Sequence, residues 1–71
     1  MVSIDEGAVK VIEIIGVSQS GFGDAVQQAV HKTAQSVSGI TGVEVIKQSA
    51  RVENGQIVQY RATVKIAFVV K

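Results

Sequence analysis

The first apolar segment of the chain is rich in β-branched residues. It runs from Ala8 to Ile15 between two glycines, and this composition predicts a strand. The following stretch, Gly16 to Gly21, is rich in glycine and serine and predicts a turn. Consecutive apolar residues place hydrophobic side chains on both sides of this strand, so both of its faces need a cover.

The hydrophobic period then changes from that of a strand to that of a helix. From Gly21 to Ser38, apolar residues recur at i, i+3, i+4 and i+7, which predicts one helix about 25 Å long. Ser20 is the predicted N-cap, Asp24 suits the positive end of the helix dipole, and Gly39 is the predicted stop. The apolar face is mostly alanine and valine, so the helix can lie close against a sheet.

Two further apolar segments flank the dipeptide Asn54-Gly55, a strong signal for a two-residue hairpin turn. The predicted strands are Thr41 to Glu53 and Gln56 to Lys71, and such a turn pairs residues whose numbers sum to 109. The predicted helix-facing pairs are Thr41–Phe68, Val43–Ile66, Val45–Val64 and Ser49–Tyr60. The predicted pairs on the other side are Gly42–Ala67, Glu44–Lys65, Ile46–Thr63 and Gln48–Arg61.

These elements predict a single α+β domain over residues 1–71 with the order β-α-β-β. Antiparallel pairing throughout requires the third strand in the middle, so the predicted strand order is 1-3-2. One helix covers one face of this sheet, and no second helix exists to cover the other, which also carries apolar residues. We therefore expect copies of the chain to cover each other in a homo-oligomer.

Composition narrows the functional classes. With 71 residues, no cysteine and one histidine, the chain offers neither a disulfide nor a metal site of thiolates or imidazoles, and 46% of its residues are hydrophobic. A net charge of +1 gives no reason to expect nucleic acid as a partner. No apolar run approaches the length of a membrane span, and the segment Met1 to Gly7 lacks the features of a signal peptide, so a cytoplasmic location is expected.

Several segments together resemble the dodecins over nearly the whole chain. They are Val11 to Ser18, the helix striped with alanine and valine, Gly42 to Val45, the Asn54-Gly55 hairpin and Tyr60 to Phe68. The resemblance implies a strongly curved antiparallel sheet wrapped around the helix and assembly as a hollow homododecamer. It also implies a storage protein, not an enzyme, that binds flavins near its three-fold axes.

The same resemblance implies where a flavin such as riboflavin, FMN or FAD would bind. The family's tryptophan, which stacks on the flavin, falls at Gly42, and its glutamine, which contacts the ring edge, falls at Arg61. The implied ligand contacts are Thr41, Gly42, Val43, Gln48 and Arg61. Because both family residues are replaced, the alternative is a dodecin-like assembly that binds no flavin and either is structural or holds another small anion.

Several of these residues have a purely structural interpretation as well. Arg61 could be solvated or pair with a carboxylate of a neighbouring subunit, and Gly42 could relieve crowding between subunits. Glu13 fits an intersubunit ion pair, His31 a surface position, and Tyr60 the core. With one exposed histidine, no cysteine and no paired carboxylates, the chain has no evident group for acid–base or nucleophilic catalysis.

Overall fold

The computed structural model describes residues 6–70, so the predicted end of the third strand, Lys71, and residues 1–5 lie outside it. Its elements in chain order are β1 (Val9–Ser18), α1 (Phe22–Ala34), β2 (Ile40–Glu53) and β3 (Gln56–Val69). The three strands form one antiparallel sheet in the order β1-β3-β2. The predicted α+β fold, β-α-β-β with strand order 1-3-2, is therefore confirmed.

The hairpin turn between β2 and β3 is the one predicted. Asn54 and Gly55 have φ values of 53° and 74°, and two consecutive positive φ angles are the mark of a type I′ turn. Both strands have 14 residues, and the molecule extends 50 × 20 × 15 Å. Since β1 pairs with β3 only as far as Tyr60, the end of the hairpin projects beyond the rest of the sheet as a two-stranded arm.

The predicted register of this hairpin is correct only in part. Gly42 to Val45 face Ala67 to Val64 as predicted, but Ile46 is an extra residue without a partner, a β-bulge. From Lys47 to Arg51 the pairing is shifted by one residue, and next to the turn Val52 and Glu53 again face Ile57 and Gln56 as predicted. A further irregularity precedes Gly42. The pairs predicted wrongly are Thr41–Phe68, Ile46–Thr63, Gln48–Arg61 and Ser49–Tyr60, and the observed ones are Ile40–Phe68, Lys47–Thr63, Gln48–Ala62 and Ser49–Arg61.

This shift exchanges the two faces of β2. Because directly opposed residues point to the same side of a sheet, Gln48 shares the helix side with Ala62. Lys47 and Ser49 share the opposite side with Thr63 and Arg61. A slip of one residue is enough for this exchange because side chains alternate with a period of two.

The core lies between the helix and the middle of the sheet. Its fully buried side chains are Ala25, Ala29, Ala62, Val64 and Ile66. The helix packs against β1 and β3 and barely reaches β2. At its N-terminus the ring of Phe22 meets the ring of Tyr60 edge to face, with 4.9 Å between the centroids, which confirms that Tyr60 belongs to the helix side.

The first strand is longer than predicted and includes a glycine. Gly16 was predicted to open a turn, but it is buried inside β1 and pairs with Ala62. A Cβ atom there would overlap the carbonyl oxygen of Ala25 and lie 3.0 Å from the Cβ of Ala29. The helix therefore crosses the strand at a distance that only glycine permits, so the glycine marks a close approach and not the end of the strand.

The ends of the helix also differ from the prediction. It ends at Ala34 with Gln35 as C-cap, not at Ser38, and Gly39, with φ of 76°, leads into β2. At the other end the N-cap is Gly21, not Ser20, and a glycine has no side chain that could make a capping hydrogen bond. Asp24 does lie in the first turn, as predicted.

Ser18 takes over the role expected of the N-cap. This buried residue at the end of β1 accepts hydrogen bonds from the backbone N–H groups of Ser20 (2.9 Å) and Gly21 (3.4 Å). Its hydroxyl donates to the carboxylate of Asp24 at 2.6 Å. One side chain thus joins the strand, the turn and the first turn of the helix.

Replacing Ser18 with alanine should therefore lower the free energy of unfolding by about 1–2 kcal/mol, the usual cost of removing a capping hydroxyl from a buried position. Urea unfolding followed by circular dichroism measures this. Ser20→Ala is the matched control, since Ser20 is exposed and its side chain makes no such bond, and its effect should stay within about 0.5 kcal/mol. Equal losses in both variants would contradict the assignment.

Candidate functional site

The side of the sheet away from the helix, called the outer face below, carries the predicted ligand residues. It is formed by Ala67, Lys65, Thr63 and Arg61 of β3 with their partners on β1 and β2. Across the three strands these residues form rows. One row is Val11, Ala67 and Gly42, and the next is Glu13, Lys65 and Glu44.

A shallow groove lies where these two rows meet. The residues around this Gly42 groove are Val11, Gly42, Val43, Glu44, Lys65 and Ala67. Its floor is apolar, and the charged pair Glu44 and Lys65 forms one wall. A Cβ atom on Gly42 would meet nothing within 4 Å, so the space above this residue is open. The groove has a volume of about 250 Å³, below the roughly 300–1,000 Å³ of most small-molecule pockets.

The structure brings only some of the predicted ligand residues together. Gly42 and Val43 line the groove, and Thr41 precedes them on the same strand. Gln48 does not join them, because the bulge at Ile46 turns it to the helix side of the sheet. The prediction that Gln48 lies opposite Arg61 is therefore wrong, and its role in ligand binding stays a prediction.

Arg61 lies on the outer face, as predicted, but at a distance from Gly42. Gly42 is opposite Ala67, six residues along β3 from Arg61, which corresponds to about 20 Å. The side chain is exposed, and its Nε donates a hydrogen bond to Oε1 of Gln59 at 2.9 Å. Within one copy of the chain, Gly42 and Arg61 therefore cannot contact the same small ligand.

Charged residues of both signs lie side by side on the outer face. Lys65 lies opposite both Glu13 and Glu44, as the hairpin register predicted for Glu44, but the charged groups are more than 4.0 Å apart. Among residues 6–70, the pair in direct contact is Arg51 with Glu53, near the end of the hairpin arm. Exposed pairs of this kind contribute little to stability.

The outer side of β1 is an exposed apolar surface. Its members, called the β1 stripe below, are Val9, Val11, Ile15 and Val17. Val11 and Ile15 are 51% and 59% exposed, although they point away from the only helix of the described chain. An apolar stripe of this kind on an edge strand is typical of an interaction surface.

Two residues of the groove, Val11 and Ala67, were not predicted to take part in a site. The hairpin arithmetic did place Ala67 opposite Gly42. However, Val11 joins them through the pairing of β1 with β3, and these strands are not joined by a turn that would set their register. Val11 could have been identified only from the correct register of β1 against β3.

The described residues lack two other features, a cluster of metal ligands and a membrane-spanning helix. Residues 6–70 contain no group of three or more His, Cys, Asp or Glu side chains placed to hold a metal ion. In the same part of the chain, no helix has the length and apolarity needed to span a membrane.

Comparison with known proteins relates this geometry to one family. Residues 8–71 match the profile of the Dodecin family. Calcium dodecin of Mycobacterium tuberculosis is 34% identical over 59 residues, which are 83% of this chain and 83% of that protein. Its crystal structure superposes with a TM-score of 0.80 at 33% identity, covering 92% of this chain and 93% of the other. Dodecin from Streptomyces coelicolor superposes with a TM-score of 0.91 at 25% identity, covering 96% and 97%.

Proposed function

Because the chain belongs to the Dodecin family, we propose that its copies assemble into a hollow shell that stores or sequesters a small ligand, with a flavin as the first candidate. Dodecins are small ligand-binding storage proteins and not enzymes, and this chain is accordingly not an enzyme. The subunit number expected from the family resemblance is twelve.

The observation that best supports the proposed assembly is the exposed β1 stripe. Four apolar side chains that point to the outer face are each 43% exposed or more in a single copy. Complete burial of a fully exposed Val or Ile side chain stabilises by about 1.5–3 kcal/mol. The stripe residues are about half exposed, so covering each contributes roughly half of that, and the stripe supplies a driving force for association. A second copy is the simplest cover for it.

The ligand site proposed within this shell is the Gly42 groove. Its apolar floor of Val11 and Ala67 suits a flat ring, and the polar groups of Glu44 and Lys65 at its wall can contact a ring edge. The groove of one copy is small for a flavin, so we propose that a neighbouring copy completes it. Thr41, Gly42 and Val43 are the proposed contacts of one copy, and Arg61 that of another.

Native mass spectrometry of the purified protein tests this proposal most directly, because it reports the subunit number and any retained ligand together. We expect a particle of twelve copies and quenching of flavin fluorescence when riboflavin or FMN is added. A monomer at micromolar concentration would refute the assembly. Full flavin fluorescence in the presence of assembled protein would refute flavin as the ligand.

The role of the β1 stripe is checked with one variant and one control. Ile15→Lys places a charge where the partner copy should pack, so the particle should dissociate into smaller species. Gln27→Lys adds the same charge on the exposed side of the helix and should leave the particle intact. Intact particles in both variants would show that another surface holds the copies together.

A second candidate is a dodecin-type assembly that holds no flavin. The observation that favours it is the bare surface at Gly42, where no side chain is present to stack on a ring. The Mycobacterium tuberculosis relative is described as calcium chelating, so Ca²⁺ is a ligand to test by calorimetry on the assembled protein. Heat released on Ca²⁺ addition without any flavin quenching would support this second candidate.

A further inference from the structure

Three cationic residues share one region of the outer face. Lys47 lies opposite Thr63, Ser49 opposite Arg61, and Arg51 opposite Gln59, in an unbroken ladder from 47 to 51 on one strand and from 63 to 59 on the other. Lys47, Arg51 and Arg61 therefore point to the same side of the sheet, and they are called the basic patch below. The bulge at Ile46 creates the patch, because without it Lys47 and Arg51 would face the helix side.

Arg61 occupies the centre of the basic patch. It is the diagonal neighbour of Lys47 across one step of the ladder and of Arg51 across the other, at about 7–8 Å between backbone positions. Long side chains span such a distance easily, so the three cationic groups can converge on one anion. Glu53 is bonded to Arg51. The adjoining row of the same face holds Glu13, Lys65 and Glu44, one net negative charge, so the charge of the patch with these neighbours remains positive.

The guanidinium of Arg61 is already oriented. Its Nε is bonded to Oε1 of Gln59, which leaves the two terminal nitrogens as free donors. A planar fork of this kind matches two oxygens of a phosphate group better than an ammonium group does. The hydroxyl groups of Ser49 and Thr63 belong to the same side of the ladder and add neutral donors.

We propose that the basic patch binds the phosphate groups of a small anion, a diphosphate or the diphosphate of a nucleotide. Two adjacent phosphates provide enough oxygens for Arg61 and one flanking cation at the same time. This site lies about 20 Å from Gly42 of the same copy along the sheet. It rests on the proposed function in one respect, because it shares Arg61 with the contact proposed between one copy and the Gly42 groove of another.

The other end of the outer face provides a matched control. Lys65 is also exposed on β3 and on the same side, but it lies between Glu13 and Glu44. Its surroundings are therefore net negative. Lys65→Gln and Arg61→Gln remove the same charge from the same strand, and only the second removes it from the patch.

Calorimetric titration of the assembled protein with inorganic diphosphate at low ionic strength tests the inference. Arg61→Gln should weaken binding about tenfold, the usual effect of losing a hydrogen bond to a charged group. Lys47→Gln should weaken it less, Lys65→Gln should leave it unchanged, and Arg61→Lys should retain part of it. Added salt should weaken binding by wild-type protein, because the contacts are exposed.

Three results would overturn the inference. They are an equal loss in Lys65→Gln and Arg61→Gln, adenosine binding as tightly as ADP, and no heat with diphosphate while the particle and its flavin quenching persist. Diphosphate binding by protein that neither assembles nor quenches flavin would support the patch and refute the proposed function instead. The two proposals are thus tested separately.

Discussion

Replacing Gly16 with alanine should destabilise the fold far more than the same change at Gly23 or Gly42. The new Cβ would overlap backbone atoms of the helix, lying 2.9 Å from the carbonyl carbon of Ala25. Backbone cannot rotate away as a flexible side chain can, so the helix must lift off β1. We expect a loss of about 3 kcal/mol or more in the free energy of unfolding. For a domain of this size that lowers the melting temperature by about 12 °C or more.

Two other glycines provide matched controls for this substitution. A Cβ on Gly42 or on Gly23 meets no atom within 4 Å. Gly42→Ala should change stability by less than about 0.5 kcal/mol, whereas Gly23→Ala should raise it by about 0.4–1 kcal/mol, since Gly23 lies in the helix. All variants must be compared at one protein concentration, because assembly contributes to stability. A Gly16→Ala protein that melts with the wild type would disprove the close contact.

The architecture could be predicted because its strongest signals are local. Asn54-Gly55 specifies a two-residue turn, and the change of hydrophobic period separates the strands from the helix. Antiparallel pairing then leaves only the order β1-β3-β2.

The register of the hairpin could be predicted next to the turn and near Gly42, but not between Lys47 and Arg51. Ile46 is a good strand residue, and nothing in the neighbouring sequence marks it as the extra residue of a bulge. The prediction for Gly16 was wrong in the opposite sense. A glycine after an apolar run is typical of a strand end, but Gly16 lies inside β1. Its real cause, the approach of Ala25 and Ala29, lies 9 and 13 residues away in the sequence.

The candidate site could be predicted only in part, because its members depend on the register of the sheet. Gly42 and Arg61 were identified through the family resemblance, and the side of the sheet assigned to both is confirmed by the pairing. Lys47 and Arg51 could not be added to Arg61, because the predicted register placed them on the helix side. The basic patch can therefore be recognised only once the shift at Ile46 is known.

Gly42→Trp should raise the affinity for riboflavin about tenfold to a hundredfold. The open space above Gly42 admits a large side chain without a clash in the subunit. An indole that stacks on the flavin ring removes apolar surface of both from water, and burial of such a side chain contributes about 1.5–3 kcal/mol. Quenching of riboflavin fluorescence in a titration of assembled protein measures the change, with the particle size verified for each variant.

Gly42→Leu separates stacking from simple filling of the groove. Leucine adds apolar volume but no ring face, so its gain should be clearly smaller than that of tryptophan. Adding Arg61→Gln to Gly42→Trp should strengthen riboflavin binding further, since glutamine supplies a hydrogen-bond acceptor that arginine lacks. The same Arg61→Gln change should weaken diphosphate binding, so one substitution moves the two ligands in opposite directions. If neither tryptophan variant binds riboflavin more tightly than the leucine variant does, Gly42 is not the position that faces a flavin.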